Sequence, residues 1–105
     1  MNVVMSNEWL GSTSLQGYMP EGVTYLQLVQ VFGQPNQGDG EKVDAEWRGT
    51  INGNNFTIYN YKTGKVYLGR SGLPREKIKG SDWHIGGDKK ITAQLVIDYF
   101  EENSR

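Results

Sequence analysis

The sequence predicts a small α+β domain: an antiparallel sheet of about four strands with two helices packed on one face. Apolar residues recur at helical spacing in two stretches and alternate with polar residues in a third. The apparent elements follow the order strand, helix, three strands, helix. With 105 residues, the chain is long enough to bury a single core. We expect residues 1–11 to be a flexible segment and residues 12–105 to form one domain.

The first helix is predicted by its face and by its ends. A weakly alternating strand at 12–19 and a Pro-Glu-Gly turn precede it. Thr24 is placed to cap the helix, and Gly33 followed by Pro35 is placed to end it. The apolar face comprises Tyr25, Leu28, Val29 and Phe32.

A β-hairpin is the clearest element of the sequence. Apolar and polar residues alternate from 43 to 51, and an aromatic and β-branched stretch runs from 56 to 62. The intervening Asn52-Gly53-Asn54-Asn55 tolerates positive φ, as a tight turn requires. The alternation places Trp47 in the core. Residues 66–68 are interpreted as the start of another short strand.

The C-terminal third is predicted to hold a loop, a strand and a helix. Residues 69–81 combine glycines, a proline and mixed charges, which is typical of a surface loop. Residues 81–85 are predicted to form a strand, and Gly87 or Asp88 to begin the last helix. Its apolar face comprises Ile91, Leu95, Val96, Tyr99 and Phe100.

Composition argues against several functional classes. The absence of cysteine excludes disulfides and thiolate metal sites. A net charge of −1 disfavours general nucleic-acid binding, which usually accompanies a basic excess. No apolar run approaches a membrane span of roughly 18 residues, and the N-terminus lacks the pattern of a signal peptide. We therefore expect a cytoplasmic protein without a membrane partner, metal or cofactor.

The run Trp83-His84-Ile85-Gly86-Gly87 is the first candidate site, and it contains the only histidine. In a strand, Trp83 and Ile85 share one face and His84 lies on the other. Gly86 and Gly87, entering a helix, would present backbone N–H groups to an anion, with Trp83 and His84 stacking on a flat group. In the alternative interpretation, the apolar pair is core and the glycines only permit a tight turn.

Tyr59 and Tyr61 form the second candidate site. They lie on the strand face opposite Phe56 and Ile58, so they would stand on the outer face of the sheet if the helices cover the other. Together with Lys62 they would stack a base and meet a phosphate. Alternatively, these rings stabilise the sheet or are buried in an oligomer interface.

Basic residues in the glycine-bearing loop form the third candidate site. Arg70, Arg75, Lys77 and Lys79 surround a single acidic residue, Glu76. The loop is either a solvated surface segment or a lid that closes over an anionic ligand, to which Arg70 would contribute.

Catalysis and metal binding find little support in the sequence. A hydrolytic triad would require His84 between a nucleophile and a carboxylate, and no nucleophile motif is present. One histidine and no cysteine leave only carboxylates as metal ligands, without EF-hand spacing. The sequence therefore predicts a protein that is not an enzyme.

Several segments together resemble a family of small, mostly uncharacterised bacteriophage and prophage proteins. The resemblance covers about residues 12–100. Its specific parts are the aromatic strand Thr57-Ile58-Tyr59-Asn60-Tyr61-Lys62 and the Trp-His-Ile-Gly-Gly run at 83–87, and the Glu-Trp pair at 46–47 belongs to the same pattern.

The resemblance implies an accessory role in an infected bacterial host. One such role is counter-defence by a sponge, which sequesters a nucleotide immune signal such as a cyclic dinucleotide or a cyclic ADP-ribose variant. The alternative is a non-enzymatic inhibitor that docks on a host or defence protein. A sponge needs stacking rings and phosphate donors but no catalytic group. Because such a ligand is large for this chain, we expect a homo-oligomer with the nucleotide-like small molecule between subunits.

Overall fold

A computed structural model describes residues 1–8, 11 and 13–104, and it confirms the α+β class. The described residues form one sheet of six strands, rather than about four, and three α-helices rather than two. All strand pairs are antiparallel. The strands are β1 (Val3–Ser6), β2 (Ser14–Tyr18), β3 (Asn36–Gln37), β4 (Ala45–Ile51), β5 (Asn54–Asn60) and β6 (Trp83–Gly87), and the helices are α1 (Tyr25–Phe32), α2 (Lys65–Leu68) and α3 (Thr92–Asn103).

The first two strands of the chain lie at opposite edges of the sheet. The order is β1-β4-β5-β6-β2, and the short β3 also pairs with β4. Residues 1–11, expected to be flexible, thus contain an edge strand, in which Val3 pairs with Ile51. Residues 9 and 10 of that segment lie outside the described residues.

The predicted cap and stop of α1 are confirmed. The Thr24 side chain accepts a hydrogen bond from the backbone N–H of Gln27, and the Gln27 side chain accepts one from the backbone N–H of Thr24. This reciprocal capping box satisfies donors that the first turn leaves free. At the other end Gly33 has φ 87° and closes the helix by donating to the carbonyl of Val29.

The predicted hairpin is also confirmed. Asn52 and Gly53, with φ 50° and 81°, form a two-residue turn between β4 and β5. The register pairs Trp47 with Ile58, and both side chains lie on the inner face of the sheet.

The core lies between the inner face of the sheet and the helices α1 and α3. Trp83 and Ile85 of the central strand β6 are fully buried there. The indole N–H of Trp47 donates to the carbonyl of Gly33, and that of Trp83 donates to the carbonyl of Ile78. Both indoles can therefore be buried without an unpaired polar atom. Met19, Val23, Leu28, Phe32, Phe56, Ile78, Ala93, Val96 and Phe100 complete the cluster together with Ala45 and Ile51.

Several elements differ from the sequence prediction. The return strand of the hairpin, predicted at 56–62, is β5 at Asn54–Asn60, and the strand predicted at 81–85 is β6 at Trp83–Gly87. The last helix begins at Thr92, not at Gly87 or Asp88, because both glycines continue strand β6. Residues 66–68 are helical in α2 rather than extended. The cause is tertiary: the backbone N–H of Val66 donates to a carboxylate oxygen of Asp44 at 3.3 Å, which caps a single helical turn.

Asp44 belongs to a buried polar node that anchors residues 61–75 to the sheet. The side-chain amide of Asn60 donates to the Asp44 carboxylate at 2.9 Å and accepts from the Asp44 backbone at 2.8 Å. Arg75 donates to the Asp44 carbonyl at 2.6 Å. A Cβ on Gly64 would lie 2.1 Å from the carboxylate, so glycine is required there.

Candidate functional site

Asn7 and Thr13 contact one half of the outer face of the sheet. The carbonyl of Asn7 accepts from Arg48 at 3.5 Å, and the hydroxyls of Thr13 and Thr57 are 3.5 Å apart. The helices α1 and α3 pack on the inner face, and on the other half of the outer face Tyr18 and Tyr61 are 48% and 39% exposed. That open half carries the candidate site.

Three tyrosines and the histidine form an aromatic cluster on the open half. Tyr18 of β2 pairs with His84 of β6, which pairs with Tyr59 of β5, so the three lie in one row across the sheet. Tyr61 follows on the same side of the chain as Tyr59. We call Tyr18, Tyr59, Tyr61 and His84 the outer-face cluster.

The imidazole of His84 is the centre of the outer-face cluster. Its ring centroid is 4.9 Å from that of Tyr18 and 5.3 Å from that of Tyr59, both in edge-on contacts. The ring of Tyr61 is 6.0 Å away and inclined by 32°. These distances are usual for interacting aromatic pairs, so the contacts stabilise the positions of the rings.

The polar atoms of the outer-face cluster have no partner among the described residues. Within residues 1–8, 11 and 13–104, neither nitrogen of His84 makes a hydrogen bond, and neither do the three tyrosine hydroxyls. Burial lowers the pKa of His84, against the opposing effect of Asp82. The imidazole is therefore neutral near pH 7 and offers one donor and one acceptor.

Two lysines lie beside the ring of Tyr61. The Nζ of Lys62 is 5.3 Å from the ring centroid and that of Lys42 is 6.0 Å. Lys62 is one of the two described non-glycine residues with positive φ, at 59°, and its Nζ also lies 5.3 Å from the ring of Tyr67. The unusual backbone conformation at the end of β5 places an ammonium group between two tyrosines.

A carboxylate lies on β4, beside the Tyr59 end of the row. Glu46 of β4 pairs with Tyr59 and forms an ion pair with Arg48. Burial raises the pKa of the Tyr59 phenol, and the charge of Glu46 adds to the effect. The phenol therefore stays protonated well above neutral pH.

The structure brings together four of the predicted site residues: Tyr59, Tyr61, Lys62 and His84. Trp83 lies on the inner face, fully buried, and is not available to stack on a ligand. Arg70 is exposed in the turn Gly69–Ser71, apart from the rings.

Gly86 and Gly87 lie inside the sheet rather than at a helix terminus. Both are buried in β6, which is paired with β5 on one side and β2 on the other. A Cβ on Gly86 would be 2.5 Å from the hydroxyl of Thr57, and one on Gly87 would be 2.8 Å from the side chain of Thr92. Gly86 therefore allows Thr13 and Thr57 to approach the strand closely, and Gly87 does the same for Thr92 of α3.

Sequence reasoning missed Tyr18 and Lys42. Tyr18 ends a strand whose alternation was weak, and its neighbour across the sheet is His84. Lys42 reaches Tyr61 because its carbonyl accepts from the backbone N–H of Lys62 at 2.9 Å. Both contacts depend on backbone pairing between segments that are far apart in the sequence, so no local sequence pattern predicts them.

Other kinds of site are not evident among the described residues. An open depression lies away from the outer-face cluster and contains no aromatic ring. It is lined by Glu21, Gly22, Lys79, Gly80 and Ser81. No group of acidic and histidine side chains within residues 1–8, 11 and 13–104 could hold a metal ion. No helix of that part is long and apolar enough to cross a membrane.

Comparisons with known proteins do not indicate a function, so the outer-face cluster is interpreted from its chemistry alone. The chain matches no protein-family model, no curated protein and no solved structure at a significant level.

Proposed function

We propose that this protein binds a nucleotide-derived ligand on the outer-face cluster and sequesters it without chemical change. The observation that carries the proposal is the convergence of three tyrosine rings on His84, beside two lysines, on an open half of the sheet. Soluble domains usually cover such rings, and an uncovered group of them is typical of a binding surface.

The chemistry of the surface suits a base joined to a phosphate. An exposed ring such as Tyr61 offers a flat face on which a base stacks. The ammonium groups of Lys62 and Lys42 stand where a phosphate would follow the base. The neutral imidazole of His84 and the free hydroxyls supply directional hydrogen bonds to the base edge or ribose.

The surroundings of the His84 imidazole favour binding over catalysis. Among the described residues, His84 has no hydrogen bond to a carboxylate and none to a serine or threonine hydroxyl. Nucleophilic catalysis needs both contacts, one to orient the imidazole and one to receive the proton. A site without these two contacts suits a protein that holds a nucleotide immune signal without cleaving it.

A second candidate function is docking on a host or defence protein. Leu15 and Val4 stand on the same face of the sheet, paired with Gly86 and Thr50, and are 48% and 55% exposed. Apolar side chains at this exposure are common in protein interfaces. Leu15 shares strand β2 with Tyr18 of the outer-face cluster, whereas Val4 lies at the opposite edge of the sheet, so Leu15 is the apolar neighbour that supports a docking surface.

A thermal-shift screen separates the two functions. The purified protein is heated with cyclic di- and trinucleotides, ADP-ribose and cyclic ADP-ribose isomers. Ligand at a hundredfold excess over its Kd stabilises the folded state by about 2.7 kcal/mol, which is roughly a ten-degree rise in Tm for a domain of this size. Intact ligand should be recovered after denaturation.

Matched variants assign any shift to the site. Tyr61→Ala and His84→Ala should abolish the shift while the unliganded protein remains folded, and Leu26→Ala, at an exposed position of α1, should retain it. If no nucleotide class raises Tm, the proposal fails and the docking function takes its place. If the ligand is recovered cleaved, the non-catalytic assignment is wrong.

A further inference from the structure

The carboxylate of Glu46 stands at the border of the outer-face cluster. The backbone register continues the row of Tyr18, His84 and Tyr59 onto β4, where the partner of Tyr59 is Glu46. The odd-numbered residues of β4 are buried and the even-numbered ones are partly exposed. Because side chains alternate between the two faces of a strand, Glu46 lies on the same face as the rings.

The Glu46 side chain is close enough to reach a base bound on these rings. Residues directly opposite each other on paired strands have Cβ atoms about 4.5–5.5 Å apart. Tyr61 lies two residues beyond Tyr59 and is therefore diagonal to Glu46, at about 7–8 Å, which long side chains can span. A base stacked on the exposed ring of Tyr61 would thus have one edge beside the carboxylate.

One oxygen of Glu46 is held in place and the other is available. The Nε of Arg48 donates to Oε1 of Glu46, and the guanidinium also donates to the carbonyl of Asn7. Arg48 pairs with Thr57, which lies toward the half of the face that Thr13 contacts. Within the described part of the chain, Oε2 of Glu46 accepts no hydrogen bond, and the side chain is 19% exposed. Arg48 therefore fixes the carboxylate from one side and leaves its other side open.

A negative charge at this position makes the site selective. Beside Lys42 and Lys62, the carboxylate opposes phosphate binding, so it adds to affinity only where the ligand donates N–H groups to it. Guanine has adjacent N–H donors, N1–H and the N2 amino group, on its Watson–Crick edge. Adenine and cytosine place an amino group beside a ring nitrogen that is an acceptor, and the N–H of uracil lies between carbonyl oxygens. A carboxylate repels these acceptors.

We infer that the ligand is a guanine nucleotide, with its base stacked on Tyr61 and its N1–H and N2 amino group donating to Glu46. This inference rests on the proposed function, because it uses the same rings, and it narrows the ligand class. Arg48 is a positioning residue that holds the carboxylate beside the row. Among nucleotide immune signals, the assignment selects a guanine-containing cyclic dinucleotide over cyclic ADP-ribose, whose base is adenine.

Calorimetric titration of the full chain with cyclic di-GMP and cyclic di-AMP tests the inference. Cyclic di-GMP should bind about tenfold more tightly or better, as expected of a base contact made through paired hydrogen bonds. Glu46→Gln turns an amide N–H₂ toward the donors of guanine. It should weaken cyclic di-GMP binding about tenfold without weakening that of cyclic di-AMP.

Two further variants separate hydrogen bonding from charge and from folding. Glu101→Gln makes the same charge change at an exposed position of α3 and should keep the guanine preference. Glu46→Asp keeps the charge but shortens the side chain, so it should also lower the preference. The Tm of each unliganded variant shows whether it is folded, and Glu46→Asp carries the test if Glu46→Gln is not.

The outcomes separate this inference from the proposed function. If both dinucleotides bind equally, and Tyr61→Ala and His84→Ala abolish binding, the guanine assignment is wrong and the proposed function stands. Binding of cyclic ADP-ribose without binding of cyclic di-GMP has the same meaning. A guanine preference that persists in both folded Glu46 variants would overturn the role of Glu46. If neither dinucleotide nor any ADP-ribose derivative binds, the inference and the proposed function both fail.

Discussion

Both faces of this sheet carry aromatic side chains, but the faces differ in whether the polar atoms of those side chains have hydrogen-bond partners. On the inner face, Trp47 and Trp83 are buried under helices and their indole N–H groups donate to backbone carbonyls. On the outer face, the polar atoms of Tyr59, Tyr61 and His84 have no partner among the described residues. Aromatic content alone therefore does not distinguish the core from the candidate site. The distinction lies in whether the polar atoms of the rings are hydrogen-bonded.

The largest contrast should come from truncating one ring on each face. Trp83→Ala removes a fully buried indole and should cost about 3–5 kcal/mol of unfolding free energy. Tyr61→Ala removes a ring that is 39% exposed and should change stability by only about 0.5 kcal/mol. Urea denaturation measures both. A comparable loss in the two variants would show that the outer rings are structural and would weaken the binding proposal.

Replacing Gly86 on the outer face should cause a loss of folding stability of intermediate size. The Cβ of Gly86→Ala would lie 2.5 Å from the hydroxyl oxygen of Thr57 and 3.1 Å from that of Thr13. We expect a loss of about 1–3 kcal/mol, as for other overpacked sites.

A second substitution tests the cause of that loss. Thr57→Ala removes the nearer oxygen, so the double variant should recover much of the loss in a double-mutant cycle. Strictly additive losses would mean that the glycine is needed for its backbone and not for this contact.

The smallest effect concerns pH. Burial lowers the pKa of His84 in the folded state, so the unfolded chain takes up a proton more readily as the pH falls through about 6.5. Folding stability is then lost on the acid side of that value and is fully present above it. His84→Gln should reduce this loss between pH 7.5 and pH 5, measured as the urea midpoint at each pH. Equal losses in wild type and variant would assign the acid sensitivity to other groups.

Alternation and capping made much of this architecture predictable. Thr24 and Gly33 delimit α1, and a period of two placed Tyr59 and His84 on the face opposite Trp83. Such signals are local, since each depends on neighbours within a few residues. The same local reasoning predicted a strand at 66–68, where a carboxylate from the distant Asp44 caps a helical turn instead.

What could not be predicted is the order of the strands. Nothing local indicates that β2 lies beside β6, and hence that Tyr18 meets His84. Nor does the sequence show that β6 extends through Gly86 and Gly87, because a Gly-Gly pair before a helix is equally typical of a turn. The residues of the outer-face cluster were therefore only partly identified, and their contacts not at all.

The placement of β1 and β2 at the two edges has a consequence for synthesis on the ribosome. Gly17 pairs with Ile85, so β2 is synthesised long before the strand with which it pairs. Each edge strand stays unpaired until its partner strand has been made. The long chain segment between the two strands then has to close into a loop, which slows folding. The native sheet should form only after β6 has left the ribosome, and a nascent chain stalled before that point would expose β2 to aggregation.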